Sequence, residues 1–256
     1  MFFLEAGLNH FGKIKEANKI LNFFLKSTFN NLTFMIHNDS FYKSQKKRGL
    51  NFLLPNEFYK KAIKKCHNKK KKIGLSVCDE KTFYNYKNLK FDFFKLLSIS
   101  INNENLISFL NKKKKPVYIS TGFNASNKKI LKCLKLFKNK KKITILHTPM
   151  TYDLSKLNLS KILLLKKKFG LPVGYSNHNN DFNTLNILSA YSPKCIFVYC
   201  KPSLLKKKEI YPDDKHALYL HELEKVKKNY ETYKTCNLSK IKNYKINIFK
   251  NGLKKN

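Results

Sequence analysis

Arginine is all but missing from this chain: of its 53 basic residues only Arg48 carries a guanidinium. Planar, bidentate recognition of phosphates and base edges selects for that group. The formal charge of +37 is therefore read as solvated surface, and a nucleic-acid-binding reading rests on charge alone, with no recognised RNA or DNA module. Lysine, asparagine, isoleucine and phenylalanine are enriched together, the mark of a compositional bias and not of a selected binding face. The six cysteines (Cys66, Cys78, Cys133, Cys195, Cys200, Cys236) contain no CxxC pair and no tight framework, which argues for reduced, mostly buried thiols. No apolar run approaches the roughly 18 residues that span a bilayer. The N-terminus, MFFLEAGLNHFGK, has neither a basic n-region nor a long apolar h-region, so a cytoplasmic location is expected.

What is present is enough for a folded globule. The chain has 256 residues, 42% of them hydrophobic, with 21 phenylalanines, too apolar for disorder and long enough for a full core. Eight short β-prone runs recur: FFLEAG (2–7), LTFMIHN (32–38), KIGLSV (72–77), FDFFKLL (91–97), PVYIST (116–121), KITILHT (142–148), PVGYSN (172–177) and CIFVYC (195–200). Helical patterns fill the intervals. Residues 13–27 place Ile14, Ala17, Leu21, Phe24 and Leu25 at helical spacing. Residues 126–138 open on Ser126 as an N-cap before Ile130, Leu131 and Leu134, and 154–169 and 181–192 also read as helices, the second opened by Asp181. Alternation of eight strands with helices predicts an α/β protein, a closed (β/α)8 TIM barrel over residues 1–236, with an open doubly wound sheet as the alternative. A lysine-rich segment, 237–256, follows.

The lysine runs Lys69–Lys72, Lys112–Lys115, Lys140–Lys142 and Lys166–Lys168 each end a helix and precede a strand. They belong at the N-terminal face of the barrel, complementing helix C-termini and opposite the face where barrel enzymes do chemistry. The C-terminal strand ends carry Asn9 and His10, His37 and Asn38, Ser76 and Cys78, Ser98 and Ser100, Ser120 and Thr121, His147 and Thr148, Ser176 and His178, and Cys200. Four of the seven histidines fall in this set.

The ordered segments EAGLNHFGKIKEANKIL (5–21), KPVYISTGFNAS (115–126), ITILHT (143–148) and FGLPVGYSNHNND (169–181) resemble the sialic acid synthase family, which includes N-acetylneuraminate, legionaminic and pseudaminic acid synthases. The weaker YPDDKHALYLHEL (211–223) extends the resemblance over most of the chain. It implies a barrel that condenses phosphoenolpyruvate with an N-acylated amino sugar, releasing phosphate and forming a nonulosonic acid. A divalent metal, manganese or magnesium, would polarise the sugar aldehyde, and a carboxylate would handle protons on the attacking water. By position, His178 in GYSNH matches a metal-binding histidine, with Ser176 near phosphoenolpyruvate. Lys95, Ser98 and Ser120 match phosphoenolpyruvate contacts, Tyr152 and Asp213 match sugar-side positions, and Asn9 and His10 match the family's NH after strand one. A homodimer is a further implied partner state.

The chain also departs from the pattern. The family's second metal histidine, after strand eight, corresponds to Cys200, a thiol that favours zinc. The catalytic glutamate after strand four corresponds to Ser100, which cannot act as a carboxylate base. The antifreeze-like C-terminal domain of the family is expected to be missing. Two readings follow: a metal-dependent synthase, or a barrel that has kept the fold and lost the reaction while retaining a binding or partner role.

Overall fold

A computed structural model of the chain describes residues 1–123, 125–202 and 210–237. All but the first residue of the expected lysine-rich segment 237–256 lies outside the described residues. Eight parallel strands, β1 (Phe2–Gly7), β2 (Asn31–Met35), β3 (Lys72–Val77), β4 (Phe93–Leu96), β5 (Val117–Ser120), β6 (Ile143–His147), β7 (Val173–Ser176) and β8 (Ile196–Lys201), pair in chain order. The ring closes where β1 pairs with β8, Phe3 opposite Phe197 and Glu5 opposite Tyr199. The protein is a (β/α)8 barrel, and the open-sheet alternative is excluded by that last pairing.

The helices α1 (Ile14–Lys26), α2 (Asp39–Lys47), α3 (Asn56–Asn68), α4 (Glu80–Tyr84), α5 (Glu104–Lys113), α6 (Asn127–Leu136), α7 (Lys161–Phe169) and α8 (Thr184–Tyr191) cross between strands. On α1 the buried stripe is Ala17, Ile20, Leu21 and Phe24, whereas Ile14 is exposed at the first turn. On α6, Ile130 and Leu134 are buried and Leu131 faces outward. Ser126 caps α6, accepting the Lys129 N–H at 3.3 Å. Where β7 ends, a ninth short strand, β9 (Ala217–Tyr219), takes over pairing with the end of β8, Tyr199 opposite Ala217 and Lys201 opposite Tyr219. It leads into α9 (Leu220–Asn237).

Strand alternation divides the interior from the outer layer. Leu4, Phe34, Leu75, Phe94, Ile145, Val198 and their neighbours pack under the helices. Phe3, Phe93, Tyr118, Leu146, Cys195 and Phe197 form an aromatic plug. Within it Phe3 stacks on Phe197 at 4.3 Å and meets Phe93 edge-on at 5.0 Å. Gly74 is needed beside this plug, since a methyl there would lie 2.2 Å from the Phe93 ring. The barrel centre is thus packed, as such barrels are, and the charged pair described below stands above it.

The lysine runs lie where expected, at the N-terminal face. Lys71 Nζ donates to the carbonyls of Phe24 (2.7 Å), Ser27 (2.5 Å) and Phe29 (2.7 Å) at the end of α1. Lys142 donates to Lys114 O at 2.6 Å, and Lys113 to Lys87 O. These ammonium groups add donors to carbonyls at helix ends and in the turns that follow them.

Candidate active site

Directly above the aromatic plug, Glu5 of β1 and Lys95 of β4 meet at 2.5 Å, both fully buried. Each is the one charged residue of its strand, and each faces inward because it shares parity with a plug residue, Phe3 or Phe93. A buried charge is tolerable only when paired and hydrogen-bonded. Lys95 Nζ also donates to Ser176 Oγ at 3.0 Å and lies 4.9 Å from the Phe197 ring centre. Ser76 Oγ donates to Glu5 Oε1 at 3.4 Å and lies 3.2 Å from Thr33 Oγ1. Glu5 Oε2 and Ser120 Oγ are buried with no protein partner. Two acceptor or donor atoms thus point into the mouth of the barrel without a use in the fold.

A second cluster stands beside the first. The His178 ring, just past β7, lies 4.9 Å from the His216 ring and 5.2 Å from that of Tyr199, and Tyr199 meets His216 edge-on at 4.8 Å. Tyr152 Oη and His216 Nδ1 are 3.2 Å apart. Asp213 Oδ1 lies 3.6 Å from His216 Nε2, while Oδ2 accepts the Leu8 N–H at 3.2 Å. Asn9 clamps this corner: its amide donates to Cys200 O at 2.9 Å and its Oδ1 accepts the Asp213 N–H at 3.0 Å. Lys201 Nζ is held by Asp214 Oδ1 at 3.0 Å. Gly7, at φ +52°, leaves the space Asp213 occupies, for a methyl there would lie 2.2 Å from Asp213 Oδ2.

Burial governs the protonation of this cluster. It lifts the Asp213 carboxyl to about 7, against the Leu8 N–H that favours the ionised form. It lowers His216 to about 4, with Lys95 and Lys201 adding repulsion, and holds His178 well below the usual histidine range, with Lys95 and His216 in the same sense. Both imidazoles are neutral near pH 7.

The structure therefore brings together Lys95, Ser176, His178, Tyr152, Asp213 and Asn9 from the sequence-derived set, and leaves Ser120 buried at the end of β5. Ser98 is half-buried and accepts the Gly122 N–H at 2.8 Å. His10 is fully buried, its Nδ1 accepting the Gly12 N–H at 2.9 Å. Ser100 donates its hydroxyl to Cys78 O, a tie between the loops after β3 and β4. Cys200 requires correction. It alternates with the inward-facing Tyr199 and Lys201, so its side chain joins the outer core with Val198 and Leu218, and burial pushes its thiol upward, away from thiolate. It is not a partner of His178.

Three participants escaped the sequence reading: Glu5, Tyr199 and His216. For Glu5 and Tyr199 the signal was available, because lone charged or polar residues at inward parity in barrel strands must converge. For His216 no local pattern served, since its position depends on β9 adding to β8. The implied metal can be weighed on these atoms. His178 Nδ1 and His216 Nε2 are both buried without partners, on facing rings, and neutral imidazole is a good donor to transition-metal dications. Two nitrogens fit such an ion. Among the described residues no group of three His, Cys, Asp or Glu side chains converges as a metal set.

Comparison with known proteins accords with this architecture. The chain is 34% identical over 93 residues to a pseudaminic acid synthase of Campylobacter jejuni subsp. jejuni serotype O:2, an alignment covering 35% of this chain and 27% of that protein. It is 32% identical over the same length to the corresponding synthase of serotype O:23/36. The aligned stretch thus spans about a quarter of these relatives' length. An N-acetylneuraminic acid synthetase from Leptospira borgpetersenii serovar Hardjo-bovis superposes with a TM-score of 0.81 at 22% identity, over 92% of this chain and 84% of that one, a likeness of fold. The model of the NeuB family matches residues 15–242, and with most of the barrel inside that match the chain belongs to the NeuB family.

Proposed function

We propose that this protein is a nonulosonic acid synthase that joins phosphoenolpyruvate to an N-acylated amino sugar. The observation that carries the reading is the buried Glu5–Lys95–Ser176 cluster at the mouth of a closed barrel, with an unpartnered carboxylate oxygen on Glu5. Carbon 3 of phosphoenolpyruvate adds to the sugar aldehyde carbon, and the aldehyde oxygen takes up a proton. Water adds to carbon 2 and gives up a proton, and inorganic phosphate leaves as the ketone forms. Net, phosphoenolpyruvate, sugar and one water give the sugar acid and phosphate.

The chain's own groups suit this chemistry. The Lys95 ammonium, with the Ser176 and Ser120 hydroxyls, supplies donors for the phosphate and carboxylate of phosphoenolpyruvate at a site shielded from water, where such donors act most strongly. Glu5 supplies the carboxylate that Ser100 cannot, its Oε2 free to take the proton from the attacking water. Tyr152, half-exposed above His216, and Asp213 form the edge where the sugar would lie. A cleft of about 430 Å³ opens on the same face between the loops after β5 and β6, lined by Thr121, His147, Thr148, Met150, Lys156 and Lys161. When bound, a divalent ion would polarise the aldehyde, with His178 holding it.

The test is phosphate release from phosphoenolpyruvate with a panel of mono- and di-N-acetylated amino sugars. Turnover is expected with at least one sugar, and Lys95→Met is expected to lower kcat/KM by about 10²–10³-fold, the scale for removing a preorganised oxyanion donor. No release above the Lys95→Met background with any sugar would overturn the proposal and leave the barrel that has lost the reaction.

A further inference from the structure

We infer that Ser76, backed by Thr33, is a positioning residue that holds the Glu5 carboxylate with Oε2 turned to the mouth. The interior of such a barrel is ordinarily filled by bulky branched side chains. Here the two strands that separate Glu5 on β1 from Lys95 on β4 bring hydroxyls to the same level instead. Thr33 of β2 pairs opposite Glu5, and Ser76 of β3 pairs opposite Lys95. All four side chains are buried. Lys95 Nζ at 2.5 Å and Ser76 Oγ at 3.4 Å both approach Oε1 of Glu5, whereas Oε2 has no partner among the described residues. Two donors from different strands on one oxygen fix the plane of the carboxylate as well as its place, and so fix where the other oxygen points.

The hydrogens of the two hydroxyls can be counted. Thr33 Oγ1 lies 3.1 Å from Phe34 O and 3.2 Å from Ser76 Oγ, and Ser76 Oγ lies 3.4 Å from Glu5 Oε1. Each hydroxyl carries one hydrogen, so the chain has two hydrogens to place in three contacts. With Glu5 ionised, Ser76 donates to Oε1 and Thr33 donates to Ser76. Once Oε2 has taken a proton the carboxyl is a weaker acceptor, and both O–H bonds can turn about: Ser76 donates to Thr33, and Thr33 to the Phe34 carbonyl. In either arrangement both hydroxyl hydrogens are matched, and a buried donor left unmatched is what would cost most. No heavy atom has to move. The inference rests on the proposed role of Glu5 as base for the attacking water, but the setting of its carboxylate is measurable without substrate.

The experiment compares the full-length parent with Ser76→Ala, Ser76→Thr and Thr33→Val, all isotope-labelled at the glutamate side-chain carboxyl carbon. Glu5 is the carboxylate that Ser76 meets, so the infrared difference between parent and variant reports it. Without substrate, its carboxylate band is expected to shift in Ser76→Ala, to shift less in Thr33→Val and to return in Ser76→Thr. In the phosphate-release assay kcat should fall about 10–100-fold in Ser76→Ala, the scale for a hydrogen bond to a charged group, and about 2–10-fold in Thr33→Val, the scale for a neutral one. The KM for phosphoenolpyruvate should stay unchanged, and Ser76→Thr should recover most of kcat. A folded Ser76→Ala with the parent's band, or with the parent's kcat, would overturn the inference. Should Ser76→Ala fail to fold, a Thr33→Val protein indistinguishable from the parent would overturn it equally. A shifted band in a chain whose parent releases no phosphate with any sugar would leave the setting of Glu5 standing and remove the synthase function.

Discussion

Glu5 and Lys95 stabilise each other and are dangerous apart. Both are buried, at 2.5 Å, so removing either leaves the other charged in a dry interior, a change that costs about 3–5 kcal/mol. Urea denaturation should show that loss in Glu5→Gln and again in Lys95→Met, while the double variant loses much less than the sum. Ser100 gives a contrasting case. Its hydroxyl is bonded to Cys78 O in a buried turn, so Ser100→Glu breaks that bond and places a charge in a buried turn. It is expected to lower stability and to bring no gain in phosphate release, which the coupled assay and a melting curve read together.

His10 and His147 give the residue scale its pH dependence. Burial lowers them to about 3 and about 4, so both stay neutral in the fold, whereas an unfolded histidine binds a proton near pH 6.5. The unfolded chain therefore binds more protons across this interval, and stability is complete above about pH 6.5 and falls as pH drops toward the folded values. The slope approaches about 1.4 kcal/mol per pH unit for each histidine. His147, whose Nε2 meets Leu157 O at 2.8 Å, is the simpler to test: urea midpoints between pH 6.5 and 5 should fall less steeply in His147→Gln than in the parent.

At the scale of elements, the ends decide what the site contains. Gly7 terminates β1 in the left-handed region and leaves the volume that the Asp213 carboxylate fills. Gly7→Ala would add both backbone strain of about 1 kcal/mol and clashes with Asp213 Oδ2 at 2.2 Å and the Tyr199 ring at 2.8 Å, so both side chains on the sugar side must shift. The expected result is a larger effect on the KM for the sugar than on that for phosphoenolpyruvate, read by steady-state kinetics with each substrate varied. At the opposite face, Lys71 joins the end of α1 to the barrel through three carbonyls.

The whole molecule carries a charge of +37, and such self-repulsion weakens the compact state. The lysines that bond helix ends are held in place, but most of the excess faces water, where salt screens it over about 10 Å at 0.1 M. The melting temperature is therefore expected to rise by several degrees between 20 and 300 mM sodium chloride; a flat or falling response would show that surface repulsion is unimportant. No described helix is long and apolar enough to cross a membrane.

Local chemistry settled much of this protein in advance. Short β-prone runs alternating with helical patterns put the eight strands at their observed places within one or two residues, save that β2 ends three residues before its run does, and strand polarity put the lysines at one face and the candidate donors at the other. Those features depend on neighbours along the chain and on the backbone's own geometry, which a sequence displays directly. Tertiary structure decided which of the polar residues meet. Closure of β1 on β8 turned two isolated charges, Glu5 and Lys95, into a pair, and the register of β8 sent Tyr199 and Lys201 inward and Cys200 outward. The addition of β9 brought His216 to His178. Each of these depends on pairing between segments remote in sequence, and a one-residue change of register reverses which side chain faces the interior, so which of these residues meet was decided only by the closed ring.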